Sequence, residues 1–254
     1  MEYNINFPYK ILVIGDVCED EYIYCTTNRF CPDAPVPILN PTRKVSGLGM
    51  AGNVVENLLG LGKCEVDTIF NEEFITKTRY VDDRTNHMFI RIDEGESNIK
   101  RIGMDVLKNI NWKYYDAVVV SDYDKGFLHE IDIRHISTKH PLTFLDTKKP
   151  LNGFAQDYSF IKINNFEHKN MDEKYSDELY KKLIVTKGAE GATHRGITYP
   201  VSQVDIKDTS GAGDTFLAAL VYEYLYNQHI ELAIEYANDC ATKVVQKKGT
   251  AKIN

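Results

Sequence analysis

The sequence predicts an α/β fold with a mostly parallel central sheet, because short apolar runs alternate along the chain with helical patterns. The clearest run, Lys10–Gly15 (KILVIG), is almost continuously apolar and ends in glycine, which is typical of a strand buried on both faces. Similar strand-like runs follow at Ala117–Ser121, Thr143–Asp146, Phe160–Ile163 and Leu183–Thr186. Helical patterns separate several of them, at Asn53–Leu61, Asp172–Lys182, Thr215–Tyr226 and Ile230–Lys247. Such a series implies right-handed crossovers, so we expect ligands beyond the carboxyl ends of the strands.

Two segments interrupt this alternation. Glu21–Val45 contains four prolines with apolar and aromatic residues between them, and Thr76–Asp93 has the pattern of a hairpin with a polar turn near Asp82–Asn86. Neither segment resembles a unit of the main sheet. We interpret them together as a small β-flap beside it.

Length, composition and charge restrict the class of protein. A chain of 254 residues corresponds to one large domain or two small ones, and 43% apolar with 26% charged residues is a globular composition. The net charge of −7 argues against a protein that coats nucleic acid, which requires clustered lysine and arginine. We identify no secretory leader and no apolar run of the ~20 residues that a membrane span needs. Five cysteines without a CxxC pair indicate reduced thiols in a cytoplasm-like compartment.

The strongest motif is Asp208–Thr215 (DTSGAGDT), which directly precedes an apolar helical pattern. A helix that begins with Gly211, Ala212 and Gly213 offers unpaired N–H groups and the positive end of its dipole, and both stabilise an anion. Asp214 lies in the first turn, where its carboxylate could accept a proton from an incoming hydroxyl group. The alternative is a glycine-rich turn in which Asp214 only caps the helix.

A second glycine-rich segment, Gly47–Gly52 (GLGMAG), has the GxGxxG spacing of dinucleotide-binding proteins. That fingerprint requires a core strand immediately before it and an acidic residue at the end of a second strand. Here a proline-rich segment precedes the motif, and no convincing second core strand leads to Asp67. We therefore do not favour a dinucleotide site, and the Walker A pattern is absent from the sequence.

Polar residues follow the first predicted strand. Asp16 and Asp20 could accept hydrogen bonds from sugar hydroxyl groups, or they could cap the loop. Asn53 could face a ligand or cap the helix that follows it.

Two further groups of polar residues have both a functional and a structural interpretation. Asn164 and Glu167 have the N-x-x-E spacing that suits Mg²⁺ held through water, and also that of a helix capping box. Lys125, in the segment Ser121–Gly126 (SDYDKG), could face a phosphate or be a solvated loop lysine.

These motifs resemble those of the ribokinase-like, PfkB-type carbohydrate kinases. The resemblance is strongest to the kinase domain of the bacterial D-glycero-β-D-manno-heptose-7-phosphate kinases, and it extends along almost the whole chain. Besides the GAGD element, it rests on Gly15–Asp20 (GDVCED), Arg29–Pro37 (RFCPDAPVP), Asn53 with Asn57 and Gly62, Thr76–Arg79, Ile90–Asp93, Ser121–Gly126, Asp146–Lys148 (DTK), Asn164–Glu167, Thr186–Lys187, Ala237–Asn238 and Gly249–Thr250.

The resemblance implies a ribokinase-like three-layer α/β/α fold, with a mostly parallel central sheet and a small β-lid from about residues 18–45 and 76–93. It implies a single kinase domain over residues 1–254, with no adenylyltransferase domain after it. It also implies a homodimer formed through the lid in the cytoplasm, with no nucleic-acid or membrane partner.

The resemblance also assigns roles to individual residues. Asp214 would deprotonate the sugar hydroxyl, and the amides of Gly211, Ala212 and Gly213 would hold the negative charge that develops during γ-phosphoryl transfer. The Mg²⁺ complex of ATP would be organised by Asn164 and Glu167, and the nucleotide site would be lined by Thr186, Lys187, Gly188 and Asn238. The sugar would contact Asp16, Asp20, Gly49 and Asn53. A phosphate already present on the substrate would be held by residues from among Arg79, Arg91, Lys125 and Lys148.

The chain departs from the family pattern at three places. Met50 follows Gly49 where the family commonly has a second glycine, and Thr147 replaces a usual proline. The segment between Gly62 and Thr76 is too short for the αβ unit expected there, which predicts a sheet without an edge strand.

The expected reaction is ATP- and Mg²⁺-dependent phosphorylation of the anomeric hydroxyl of heptose 7-phosphate, giving the 1,7-bisphosphate. The alternatives are a PfkB-type kinase for another sugar or nucleoside, a catalytically silent relative that binds ligand, and a dinucleotide oxidoreductase.

Overall fold

The computed structural model describes residues 9–170, 176–247, 249 and 252–253. Its strands are β1 (Tyr9–Gly15), β2 (Val17–Phe30), β3 (Pro37–Met50), β4 (Cys64–Phe70), β5 (Thr76–Asp82), β6 (Met88–Glu94), β7 (Ala117–Asp122), β8 (Thr143–Thr147), β9 (Phe160–Asn164), β10 (Leu183–Thr186), β11 (Ala192–His194) and β12 (Ile197–Tyr199). Its helices are α1 (Ala51–Leu61), α2 (Met104–Lys108), α3 (Glu130–Ser137), α4 (Asn165–Lys169), α5 (Asp177–Tyr180), α6 (Ala212–Asn227) and α7 (Ile230–Val244).

The main sheet has eight strands in the order β12-β11-β10-β9-β8-β7-β1-β4. All neighbours from β10 to β4 pair in parallel, and β11 and β12 extend the sheet in antiparallel fashion. The predicted mostly parallel α/β sheet is therefore confirmed. Its carboxyl ends bring the residues that follow β1, β7, β8 and β9 to one edge.

Helices cover both faces of the main sheet, because successive residues of each buried strand point to opposite sides. Ile11 and Val13 belong to the apolar cluster that includes α1, α6 and α7, whereas Leu12 and Ile14 belong to the cluster that includes residues of α2, α3 and α5. The four consecutive apolar residues Ile11–Ile14 of β1 thus contribute to two cores at once. This arrangement confirms the three-layer α/β/α architecture.

The two irregular segments form a second, smaller sheet with the strand order β3-β2-β5-β6. The strands β2 and β3 make a long antiparallel hairpin, and β5 and β6 make a second one whose turn follows Asp82. The Asp82 carboxylate accepts hydrogen bonds from the backbone amides of Arg84 and Thr85 at 3.1 and 2.7 Å, which explains why a polar turn closes here. The GLGMAG motif lies at the junction of β3 and α1, outside the main sheet, and so lacks the core strand that a dinucleotide site requires.

The short segment after α1 differs from expectation, because it contains the edge strand that we predicted to be missing. Cys64–Phe70 pairs in parallel with β1 over seven residues. Gly62, with φ 74°, lets the chain turn sharply from α1 into this strand without an intervening unit. An edge strand pairs with a neighbour on one side only. Its sequence therefore has fewer apolar residues than that of the buried strand β1 and is harder to recognise as a strand.

The predicted helix Asp172–Lys182 is helical at Asp177–Tyr180, and residues 171–175 lie outside the described part of the chain. Within that part, no helix is both long and apolar enough to cross a bilayer.

Candidate active site

Asp214 lies in the first turn of α6, where the structure places it inside the protein. Gly211, with φ 78°, is the residue that caps this helix, and Asp214 is buried, with 4% of the residue exposed. The alternative in which Asp214 only caps the helix therefore does not hold. The left-handed conformation at Gly211 is one that glycine adopts without strain, so the motif needs glycine at this position.

Both oxygens of the Asp214 carboxylate accept a hydrogen bond. The Asn53 side-chain amide donates to Oδ2 at 3.0 Å, and the Tyr123 hydroxyl donates to Oδ1 at 2.5 Å. Burial raises the pKa of Asp214 to about 6, while these two hydrogen bonds act in the opposite direction. A carboxylate with this pKa is mostly ionised at pH 7 and is more basic than an exposed one, which suits a general base.

Tyr123 was not among the residues selected from the sequence. It follows β7 directly and is half-buried, and burial of its hydroxyl together with the Asp214 carboxylate keeps the pKa of that hydroxyl well above the ordinary value. Its backbone amide donates to Asp16 Oδ2 at 2.7 Å, so one residue joins two of the predicted carboxylates. The available signal was its place in the SDYDKG segment, immediately beyond the end of a buried strand.

Asp16 and Asp20 take different positions. Asp16 is fully buried, and burial followed by the nearby Asp122 raises its pKa to about 6. Its Oδ1 is buried and has no hydrogen-bond partner among the described residues. Asp20 instead forms an ion pair with Arg79, at 2.6 Å. A side chain on Gly49 would begin 2.5 Å from Asp20 Oδ2, so only glycine fits beside this pair.

The amides at the start of α6 are not equivalent. Ala212 N–H donates to Thr209 O at 3.3 Å, which leaves it less free than predicted to bind an anion. Within the described part of the chain, the amides of Gly211 and Gly213 donate to no backbone oxygen. A Cβ atom on Gly213 would lie 3.0 Å from the Lys162 ammonium group. The anion cradle therefore combines backbone N–H groups with a lysine that we did not predict.

Lys162 belongs to a buried chain of alternating charges. Its ammonium group lies 2.7 Å from Asp146 Oδ2, and Lys148 lies 3.7 Å from the other oxygen of Asp146 and 2.6 Å from Glu167. Burial alone would raise the pKa of Asp146, but the two lysines hold it below its usual range. The same carboxylates outweigh burial and raise the pKa of Lys148. Lys148 thus lies with the predicted metal-organising residues.

Asn164 and Glu167 form the capping box of α4. The Glu167 carboxylate accepts from the Asn164 backbone and side-chain amides at 2.8 and 2.7 Å, and Glu167 N–H donates to Asn164 Oδ1 at 2.8 Å. No group of three or more His, Cys, Asp or Glu side chains able to hold a metal occurs among the described residues. Carboxylate and amide oxygens, as in Asn164 and Glu167, are of the type that suits a hydrated Mg²⁺.

A cavity of about 400 Å³ adjoins the start of α6 and has the position expected of a nucleotide site. Of the residues predicted to contact nucleotide, Thr186, Gly188 and Asn238 line it, and Lys187 does not. Ala212 and Gly213 form the end of the cavity that is nearest to Asp214. A ligand bound there would reach the anion cradle.

The four candidates for binding a substrate phosphate do not converge. Arg79 lines a second cavity, of about 280 Å³, between the small sheet and residues 206–210. Arg91 is bonded to Asp93, and Lys125 is bonded to Glu96 at 2.6 Å. Lys148 lies in the chain of charges described above. Arg79 is ion-paired as well, with Asp20, but it is the one of the four that lines either of these two cavities.

Met50 occupies the position of the missing second glycine in a conformation that side chains rarely adopt. Its φ of 58° and ψ of −133° fall in a region that costs a non-glycine residue ~1–3 kcal/mol. The side chain is buried in a cluster with Cys18 and Ile75, and Tyr123, which binds Asp214, packs against this cluster. Burial of a methionine side chain, at ~2–3 kcal/mol, offsets this strain.

We predict that Met50→Gly changes sugar affinity more than ATP affinity, because it opens space beside Tyr123 and leaves the nucleotide cavity untouched. The two offsetting terms should leave the free energy of unfolding within ~1–2 kcal/mol of that of the wild type. The measurement is KM for each substrate at saturating levels of the other. Met50→Leu keeps the volume and serves as the control, and equal changes in both constants for Met50→Gly would show that Met50 does not shape the sugar site.

Comparison with known proteins gives three findings. Residues 160–254 match the family model described as pfkB family carbohydrate kinase. The bifunctional protein HldE of Helicobacter acinonychis is 31% identical over 300 aligned positions, which cover 95% of this chain and 64% of that protein. The chain thus spans just under two thirds of that relative's length.

The solved structures that resemble this one share its fold at low sequence identity. Phosphofructokinase-2 of Escherichia coli, in complex with potassium, superposes with a TM-score of 0.71 at 14% identity, covering 97% of this chain and 96% of that one. Ribokinase of Arabidopsis thaliana, complexed with ribose and ATP, gives a TM-score of 0.66 at 14% identity, covering 96% and 94%. The predicted ribokinase-like fold is therefore confirmed.

Proposed function

We propose that the chain is a PfkB-type carbohydrate kinase that transfers the γ-phosphoryl group of ATP to a sugar hydroxyl, in keeping with the family model that matches residues 160–254 and with the 31% identity to HldE of Helicobacter acinonychis. The observation that carries this proposal is the buried Asp214 carboxylate, with a pKa of about 6, beside free backbone amides and a cavity of nucleotide size. A base, an anion cradle and a nucleotide-sized cavity are the parts that phosphoryl transfer requires.

In the proposed reaction, the sugar hydroxyl donates its proton to Asp214 as its oxygen forms a bond to the γ-phosphorus atom. The bond from that phosphorus to the β,γ-bridging oxygen breaks, and ADP leaves with the electron pair. Each oxygen of a carboxylate can accept more than one hydrogen bond, so Asp214 can bind the hydroxyl while it keeps Asn53 and Tyr123 as partners. These partners fix the orientation of the carboxylate, and orientation accounts for much of the rate in such reactions.

The charge that develops on the transferred group would be stabilised by Gly211 and Gly213 N–H and by the Lys162 ammonium group. Preorganised donors in a site without water can each contribute about 10²–10³-fold to the rate. Asp146 holds Lys162 beside Gly213, so the cation is in place before the substrate binds.

Mg²⁺, when bound, would neutralise charge on the triphosphate. Glu167 and Asn164 would hold it through water, since their side-chain oxygens already accept hydrogen bonds from each other's N–H groups and from Lys148. The role of Lys148 is then to balance the charge of Glu167 before the metal complex arrives.

Heptose 7-phosphate is the acceptor we propose, phosphorylated at its anomeric hydroxyl to give the 1,7-bisphosphate. The resemblance of the small-sheet motifs to that branch of the family supports it, as does Arg79 on the cavity near residues 206–210. Met50 is the observation that favours a different acceptor, because it fills space that glycine leaves open in the family.

The test is turnover of ATP with a panel of acceptors: heptose 7-phosphate, fructose 6-phosphate, ribose, adenosine and unphosphorylated heptose. The proposal predicts the highest kcat/KM with heptose 7-phosphate and a lower value with the unphosphorylated heptose. A preference for another acceptor would support the proposed kinase activity and contradict the proposed substrate. No turnover with any acceptor would favour a relative that binds ligand without catalysis.

We further propose that the chain forms a homodimer through the outer face of the small sheet, in a reducing, cytoplasmic compartment. Leu48, Ile90 and Ile92 are exposed apolar residues, and the register of β5 and β6 places Ile90 and Ile92 on the same face. All five cysteines are free thiols. Sedimentation velocity would measure the mass in solution, and a monomer at micromolar concentration would contradict the dimer.

A further inference from the structure

A continuous line of buried side-chain amides runs from α1 to the candidate base. Asn57 lies one helical turn after Asn53, and both residues are fully buried. The side-chain NH₂ group of Asn57 donates to Asn53 O at 2.8 Å and to Asn53 Oδ1 at 3.1 Å. Asn53 in turn donates to Asp214 Oδ2 at 3.0 Å. The proposed base is thus the last member of a chain of hydrogen bonds.

The donor-to-acceptor direction of these hydrogen bonds is fixed at the end that is farthest from Asp214. Asn57 Oδ1 accepts from the backbone N–H of Ile253 at 3.2 Å and from the Thr215 hydroxyl at 3.1 Å. A backbone N–H can only donate, so the Asn57 atom that faces Ile253 has to be the oxygen. The Asn57 NH₂ group then faces Asn53, the oxygen of Asn53 faces Asn57, and the NH₂ group of Asn53 faces Asp214.

We propose that Asn57 is a positioning residue that fixes the orientation of the Asn53 amide, so that Asn53 presents a donor and not an acceptor to Asp214. The catalytic consequence rests on the proposed role of Asp214 as the base. The Asn53 NH₂ group also lies 3.4 Å from Gly211 O. Without Asn57, the Asn53 amide is held among the described residues by this long contact and by Asp214 itself, so it rotates more readily and can place its oxygen against the carboxylate. That contact disfavours the ionised form, which is the form that accepts a proton.

Other groups also act on Asp214 and set the background for the test. These groups are Cys18 of β2, Tyr123 after β7, Asp146 and Lys148 at the end of β8, and Lys162 of β9. None of them is bonded to Asn57, whose hydrogen-bond partners within the described part of the chain are Asn53, Thr215 and Ile253. A change at Asn57 therefore reaches Asp214 through Asn53.

The experiment measures the pKa of Asp214 in the folded protein without using turnover. The free energy of unfolding is measured against pH for the wild type and for Asp214→Asn. The same pair of measurements is then made in each variant background, with and without Asp214→Asn. A native pKa of about 6, above the unfolded value near 3.8, gives Asp214 a contribution that is complete below about pH 3.8 and is lost as pH rises through 6. The difference between the two curves should therefore level off above about pH 6 in the wild type.

In the Asn57→Leu background, we expect this levelling to occur about one pH unit higher or more, because a hydrogen bond to the ionised carboxylate is lost or reversed. The matched control is Asn71→Leu. Asn71 is a buried asparagine whose amide makes three hydrogen bonds with the backbone of Val17 and Glu73. The Asn71→Leu variant should be less stable than the wild type. The pH at which the difference between its curves with and without Asp214→Asn levels off should stay the same.

If Asn57→Leu does not fold, Thr215→Val and Thr215→Ser decide the question. Thr215→Val removes one of the two donors that orient Asn57, and Thr215→Ser keeps the hydroxyl. A shift upward in Thr215→Val but not in Thr215→Ser supports the proposal. An unchanged levelling pH in Asn57→Leu, or equal behaviour of the two Thr215 variants, overturns it. Because no acceptor is needed, a failure of the proposed kinase activity would appear separately, in the acceptor panel.

Discussion

Replacement of Asp214 with asparagine is expected to lower kcat by ~10²–10⁴, the usual range when a positioned base is removed. The substitution keeps the shape of the side chain, and its single oxygen can accept from Asn53 while its NH₂ group donates to the Tyr123 hydroxyl oxygen. It removes the buried charge, so the fold and nucleotide binding should persist. The measurement is kcat with the best acceptor, together with ATP affinity from equilibrium titration.

Asp205→Asn provides the matched control for this substitution. Asp205 is exposed in the loop that leads to the same motif, so its variant should retain wild-type kcat. A kcat near normal in Asp214→Asn would show that another group accepts the proton. Loss of ATP affinity equal to the loss of kcat would instead indicate damage to the nucleotide site.

Replacement of Lys162 with methionine is the second substitution with a large expected effect. It removes the cation beside Gly213 and should lower kcat by roughly 10²–10³-fold, the range for loss of one preorganised donor to a developing anion. It also leaves Asp146 buried without its closest partner, which should cost about 3–5 kcal/mol of stability. Activity and unfolding free energy both need to be measured.

The double variant Lys162→Met with Asp146→Asn separates these two effects. It removes both charges of the pair, and replacing a buried pair as a whole is often close to neutral for stability. We expect its stability to recover and its kcat to stay low. Recovery of kcat together with stability would show that Lys162 acts only by holding the fold.

The sequence predicted the main sheet well, because buried parallel strands such as β1 must be apolar on both faces. It did not predict β4, since an edge strand paired on one side has a mixed pattern that also fits a loop. The capping box of Asn164 and Glu167 shows a different limit. The N-x-x-E spacing suits a metal organiser and a helix cap equally, and only coordinates show that the cap is formed.

The candidate site was predicted where its residues belong to one short motif, as at Gly211–Asp214. The residues that were missed act across long separations in the chain. Tyr123 reaches Asp214 from a loop 91 positions away, and Lys162 reaches Gly213 from β9. A lysine within an apolar strand, as in Phe160–Asn164 (FIKIN), was the signal for a paired buried charge, because an unpaired one would be too costly there.

The pH dependence of kcat/KM is the most direct test of Asp214 as the base, since it reports the ionisation of essential groups in the free enzyme. The measurement runs from about pH 5 to about pH 9 with the best acceptor. Asp214 must be ionised to accept a proton, so we predict a fall in kcat/KM below a pKa of about 6, with the slope of a single group. A profile that stays level from neutral pH down to pH 5 would contradict the account, because a base with the burial of Asp214 would already be protonated there.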